Sequence, residues 1–357
     1  MKGAVAAYTT ALAIEPDNGF ALERRAHAYH ALGQDSLAAA DAAAAIKINP
    51  KASELYLLLV NMARNRGDQA EAFRQADAMI AADPSDTASY VVAAKLRSAY
   101  GQRAAALHYF DQALAIKPEA YIYTNRSEVR EKTDYAARLA DIEAALKLDP
   151  KQVEALLYKA QVQQDQHDYA GAVTTLTAAH ALHTDEPHFL VLRGIVQLKA
   201  GQTALAEKDF GDARALAKTA AALNDLCWSK STAGVALASA LADCDAALVL
   251  SPDASAILDS RGFALLRLDR LDDAIGSYDR ALAIRPTAAA SLYGRAVAEA
   301  RKGDAAKAET DLRATLKVDP EVSKEFEGYG VMMPGAGQGA RKAPRTVSPP
   351  AVAPPAP

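Results

Sequence analysis

Small and large apolar residues recur along this chain at fixed distances from a repeated phrase. "ALAIEPDN" at 11–18 returns as "ALAIKPEA" at 113–120, "ALKLDPKQ" at 145–152, "ALVLSPDA" at 247–254 and "ALAIRPTA" at 281–288. The phrase closes at Pro16, Pro50, Pro84, Pro118, Pro150, Thr184, Lys218, Pro252, Pro286 and Pro320, in steps of 34 residues with a single step of 32 ending at Pro150. Twelve residues ahead of these sites stand Ala38, Ala72, Ala106, Ala172, Ala206, Ala240, Ala274 and Ala308. Twenty-four ahead stand small residues such as Ala26, Ala94, Ala160, Gly194, Gly262 and Ala296, and eight ahead the residue is often large, as with Phe110, Phe210 and Tyr278. A period of this length along a whole chain is the mark of a repeat architecture.

Each position has a physical meaning. Gly33, Gly67, Gly101, Gly201 and Gly303 fall seventeen residues ahead of the closing site, where a left-handed backbone ends one helix before a tight turn. Alanine and glycine on facing helices allow close approach, and the larger residue fills the gap between neighbours. Proline ends the second helix, and polar residues after it ("DN" at 17–18, "SD" at 85–86) suit the start of the next. Each unit is therefore expected to be two antiparallel helices, here named A and B, and the chain an all-α solenoid.

This pattern resembles the tetratricopeptide repeat over residues 2–320, most closely in "YTNRSEVREKTDYAARLADIEAALKLDP" (123–150) and "SRGFALLRLDRLDDAIGSYDRALAIRP" (260–286). The resemblance implies a right-handed superhelix of helix pairs with a concave groove lined mainly by A helices. Residues 2–16 would supply a lone B helix, 17–320 nine units, and 321–331 a capping helix that lays Phe326 and Tyr329 on the last repeat. In the unit closing at Pro252, strict counting puts Trp228 in the small slot, where an indole overpacks. Sliding that A helix by one residue puts Cys227 there instead, aligns Gly234 with the turn glycine and turns Trp228 toward the groove.

The ends change the picture. Ala4, Tyr8 and Ala11 would face an A helix that this chain does not contain, whereas solenoids normally cover a terminal repeat with a polar face. The expectation is that Met1 is an internal start with further protein upstream; the plain alternative is an exposed first helix that frays, and self-association through that helix is a third outcome. From Pro334 the chain is rich in Gly, Ala and Pro, with Arg341, Lys342 and Arg345 and no acid. Such a composition reads as a disordered tail, and its "GAGQGA" lacks the preceding strand of a phosphate-binding turn.

Composition narrows the function. Net charge is −4, without the basic excess that grips nucleic acid, and no run is long and apolar enough to insert in a membrane. Aromatics make up only 6%. Without a signal peptide at Met1 the chain reads as cytoplasmic as written, and as periplasmic or exported if its true start lies upstream. Phosphate-loop, H-E-x-x-H and G-x-S-x-G motifs are missing from the sequence, so neither an enzyme nor a cofactor is expected. The pairs His27/His30 and His180/His183 have helical spacing but no third ligand, and read as solvated side chains rather than a metal site. Asp141, Asp209, Asp243 and Asp311, nine residues ahead of their closing sites, read as outer-face charges. Cys227 and Cys244 occupy core positions of one unit and read as buried thiols; the alternative, a disulfide, would point to an oxidising compartment.

What remains is the groove. Projecting the A helices away from their small residues gives His27, His30, Asn61, Arg64, Lys95, Asn125, Glu128, Gln161, Gln164, Trp228, Asp259, Phe263, Arg267 and Tyr293 as its lining. Family members that hold a peptide's terminal carboxylate carry a lysine–asparagine, asparagine, lysine–arginine set over three consecutive A helices, and no three units here match it. The expectation is an interaction scaffold for a peptide or protein partner, or alternatively the docking part of a larger exported or envelope protein.

Overall fold

The computed structural model describes residues 1–334, and the tail read as disordered from Pro334 lies outside these from residue 335 onward. The described residues form twenty α-helices. Helix α1 (Lys2–Ile14) stands alone. Nine A/B pairs follow: α2 (Gly19–Ala31) with α3 (Asp35–Ile48), α4 (Ser53–Asn65) with α5 (Gln69–Ala82), α6 (Thr87–Ala99) with α7 (Arg103–Ile116), α8 (Ala120–Val129) with α9 (Tyr135–Leu148), and α10 (Val153–Asp165) with α11 (Tyr169–Leu182). The series continues with α12 (Pro187–Lys199) and α13 (Thr203–Leu216), α14 (Ala220–Ala233) and α15 (Leu237–Leu250), α16 (Ser255–Arg267) and α17 (Leu271–Ile284), and α18 (Ala289–Lys302) and α19 (Ala305–Val318). A short helix, α20 (Val322–Gly328), ends the series. The chain divides into two compact units, Met1–Thr175 and Leu176 onward, with the boundary inside α11.

The turn inside each pair explains the seventeenth position. Gly303 closes α18 at φ +91 and Gly234 closes α14 at φ +69, the latter fixing the one-residue slide of that helix. Where glycine is missing, the same position still bends left-handed: His167 has φ +61 and Asp269 φ +58. Histidine and aspartate tolerate that region better than most residues, but at a cost. The small-to-large rule is steric. A Cβ on Gly194 would lie 2.6 Å from Phe210, and one on Gly262 would lie 2.8 Å from Tyr278. Tyr278 also meets Gly294 of the next pair, so a single fully buried ring joins two repeats.

The aspartates read as outer-face charges are buried instead: Asp141, Asp209, Asp243 and Asp311 are 6% exposed or less. The reason is a cross-brace. Arg295 in α18 donates to Asp311 of its own B helix and to Asp279 of the preceding one, both at 2.6 Å. Arg193 does the same with Asp209 (2.7 Å) and Thr177 (3.1 Å). Arg25 reaches Asp41 and Thr9, Arg126 reaches Asp141 and Asp111, and Arg261 reaches Ser277 and Asp245. One guanidinium fork thus ties three helices, which a point charge such as lysine cannot do. In the α14–α15 pair the buried Asp243 is held instead by Lys230, which is 1% exposed and also bound to Ser239, and by Arg214 of the preceding B helix. Burial pulls the Lys230 ammonium below the ordinary lysine range, and Asp243 opposes that shift.

Cys227 and Cys244 are bonded to each other rather than held as separate thiols, with Cα atoms 5.4 Å apart. Small residues at facing core positions bring the two backbones within disulfide reach. At the N-terminus, Tyr8 and Ala11 are half-buried against the α2–α3 cluster, so the face expected to be bare is partly covered.

Candidate functional site

In the first unit the A helices carry His27, His30, Asn61, Arg64, Lys95, Asn125, Glu128, Gln161 and Gln164. Asn61 and Arg64 on α4 and Lys95 on α6 come together at a pocket of about 250 Å³ floored by Leu57, Val60, Val92 and Leu96. It has a basic rim over an apolar base. The others do not join it. His30 Nδ1 lies 2.8 Å from Asp35, the Asn125 amide donates to the Tyr121 carbonyl, and Gln161 donates to Asp165. His27 is half-buried on α2, and Glu128 is exposed. No group of His, Cys, Asp and Glu among the described residues is arranged to hold a metal ion.

In the second unit the face is partly occupied by the chain itself. Phe263 and Tyr293, expected to line an open groove, are 1% and 3% exposed. The C-terminal segment folds back over them. Phe326 meets Tyr293 at 4.8 Å and Phe263 at 5.4 Å between ring centroids, both edge-on. Tyr329 continues to Phe263 and to Trp228 on α14 at 5.6 Å. Arg267 donates to the Tyr329 carbonyl, and burial, with Arg301 nearby, lowers its guanidinium pKa. Val331 is fully buried in the same cluster. Residues 322–331 therefore lie across α18, α16 and α14 as a bound peptide would, held by edge-to-face aromatic contacts worth about 0.5–1.5 kcal/mol each beyond burial.

Beside that segment opens a second pocket of about 390 Å³, between α14, α16 and the start of α18. Trp228 and Asp259 line it, as does Asn224, one helical turn before Trp228, together with Asp225, Ser291 and Arg285. Asn224 Oδ1 is buried and has no hydrogen-bond partner among the described residues. The Asp259 carboxyl is pushed up to about 6, chiefly by burial; a hydrogen bond from Ser291 and the charge of Arg285 oppose the shift, and Glu325 adds to it. Asn224 and Asp225 were not in the expected lining, although Asn224, once α14 is slid by one residue, stands at the same repeat position as Asp259 and Tyr293. The available signal was their spacing of four and three residues from Trp228.

Comparison with known proteins fits this geometry. A family model described as tetratricopeptide repeat matches residues 260–322. The crystal structure of yeast Tom70 superposes on 91% of this chain and 83% of its own, with a TM-score of 0.54 at 14% identity, a likeness of fold. A tetratricopeptide repeat protein from Parabacteroides merdae aligns over 69% of this chain and 98% of its own, at 18% identity and TM-score 0.48. No curated protein matches the sequence. No helix among the described residues is long and apolar enough to cross a membrane. Residues 260–322 thus match the tetratricopeptide repeat model, and the helix pairs that carry the same period from residue 17 to 320 give the chain the fold of a tetratricopeptide-like α-solenoid.

Proposed function

We propose that the chain is a non-enzymatic interaction scaffold whose A-helix faces take short peptide segments of a protein partner. The observation that carries this reading is the seating of residues 322–331: α14, α16 and α18 already hold a peptide through Trp228, Phe263 and Tyr293. The repeat fold supports it, since stacked helix pairs present long continuous surfaces rather than an enclosed reaction site.

The test uses the full-length chain carrying Phe326→Ala and Tyr329→Ala, which loosens the resident segment. A synthetic peptide of residues 322–334 is titrated while the emission of Trp228, the sole tryptophan, is followed. Saturable binding is expected in the micromolar range, of the order of −8 kcal/mol, with none for the peptide bearing the same two alanines. If the wild-type peptide leaves the emission unchanged at millimolar concentration, the face does not bind peptides and the reading fails.

A second reading, that this array is the docking part of a larger exported or envelope protein, draws support from the buried Cys227–Cys244 bond, because such bonds persist in oxidising compartments. Alkylation of protein taken from its native cells checks it. Two free thiols there would sink it.

A further inference from the structure

We propose that the pocket between α14, α16 and α18 takes the cationic side chain, lysine or arginine, of a partner peptide. The inference rests on the peptide-scaffold reading and specifies which residue that scaffold recognises. The lining asks for donors and positive charge. Asn224 Oδ1 is buried without a partner among the described residues, and an unpaired buried acceptor is a cost that an incoming N–H removes. Asp225 and Asp259 line the pocket against a single base, Arg285, and Glu325 lies near enough to act on Asp259. That acidic excess attracts an ammonium or guanidinium and repels a carboxylate. The Trp228 indole supplies the aromatic face best suited to a cation.

Size and position agree with a side chain from a peptide segment. About 390 Å³ holds one long side chain with water, not a folded surface. The pocket shares Trp228 with the strip where Tyr329 already sits, so a peptide bound here runs on from an established contact. Elsewhere in this unit Arg193, Arg261 and Arg295 each stand against a carboxylate of their own chain. Asp259 instead accepts a hydrogen bond from the neutral Ser291 hydroxyl, and no cation among the described residues forms an ion pair with it, so a partner's cation fits that role.

The probes are blocked tripeptides, Ala-Arg-Ala and Ala-Lys-Ala, with Ala-citrulline-Ala and Ala-Glu-Ala as neutral and acidic controls, titrated into the full-length chain under Trp228 emission. Both cationic probes should give saturable changes, with the controls weaker by about tenfold or more. Asp259→Asn should weaken the cationic probes by a similar factor, and Asn224→Asp, which adds a charge, should tighten them; a purely structural residue would not give that gain. Far-UV circular dichroism verifies that both variants remain folded. Equal binding of the arginine and citrulline probes would overturn the proposal, as would no change with Asn224→Asp. A large gain in affinity on replacing Arg341, Lys342 and Arg345 by alanine would also overturn it, by making this chain's own C-terminal basic residues the resident. If the 322–334 peptide binds as expected while the tripeptides do not, the cationic pocket alone is wrong and the scaffold reading stands.

Discussion

Replacing Arg295 by methionine should open the last repeat pair at a cost set by one of its two partners. Asp311 has a side chain only 9% exposed, while that of Asp279 is 55% exposed. Removing the partner of a buried carboxylate costs about 3–5 kcal/mol, because the charge stays in a poorly solvated place. Losing an exposed pair costs about 0.2–1 kcal/mol. Arg295 is itself 22% exposed, which lets water reach the orphaned carboxylate and puts the total near 3 kcal/mol, the low end of the first range. In a solenoid the loss should appear locally, so the assay is native-state hydrogen exchange read on peptides from α17, α18 and α19. At about 1.4 kcal/mol per decade, 3 kcal/mol is roughly a hundredfold faster exchange there. Asp279→Asn should accelerate exchange only a few-fold, and Arg295→Lys should recover little, since an ammonium cannot bridge both helices as the fork does. The cross-brace would be refuted if Asp279→Asn cost as much as Asp311→Asn, or if Arg295→Lys matched the wild-type chain.

Two further outcomes follow from the same repeats. Reducing the Cys227–Cys244 bond, which spans 17 residues, should lower stability by about 3 kcal/mol on the loop-entropy estimate; an unchanged urea midpoint after reduction verified by mass would contradict that. Asp269→Gly relieves a non-glycine residue at φ +58 and should stabilise the α16–α17 turn by about 1 kcal/mol. Slower exchange at that turn is the expected result, and faster exchange would show that the aspartate side chain contributes more than its backbone costs.

The repeat was legible because its spacing is enforced by contacts no other residue can make. A Cβ at Gly194 or Gly262 would strike the ring facing it, so the small-to-large spacing survives in every pair that uses a bulky wedge. The cross-brace was not legible from the aspartates alone, since a carboxylate on a B helix looks like a solvated charge. Its signature is joint: Arg25, Arg193, Arg261 and Arg295 all stand 25 residues ahead of their closing sites, and the hydroxyl or carboxylate partners on the flanking B helices keep step with them. The disulfide stands in the sequence only as the alternative to two buried thiols, because burial alone does not distinguish the two. Only the backbone separation does.

The second face was misread for a reason that bears on function. Projecting A helices outward assumes that solvent lies beyond them, and on that assumption Phe263 and Tyr293 looked like docking aromatics. Two large apolar residues on an outward face already implied an occupant, and the chain supplies one in Phe326, Tyr329 and Val331. Aromatics are only 6% of the sequence, yet Trp228, Phe263, Tyr293, Phe326 and Tyr329 all meet here. A solenoid must cover its last repeat, and a cap laid against a terminal B helix would leave the A faces free. Here the cover crosses the A faces, so closing the end of the array and filling its binding face are one contact. Whatever displaces the segment must replace what it buries around Phe326, and a ligand that enters beside Trp228 without displacing it avoids that cost.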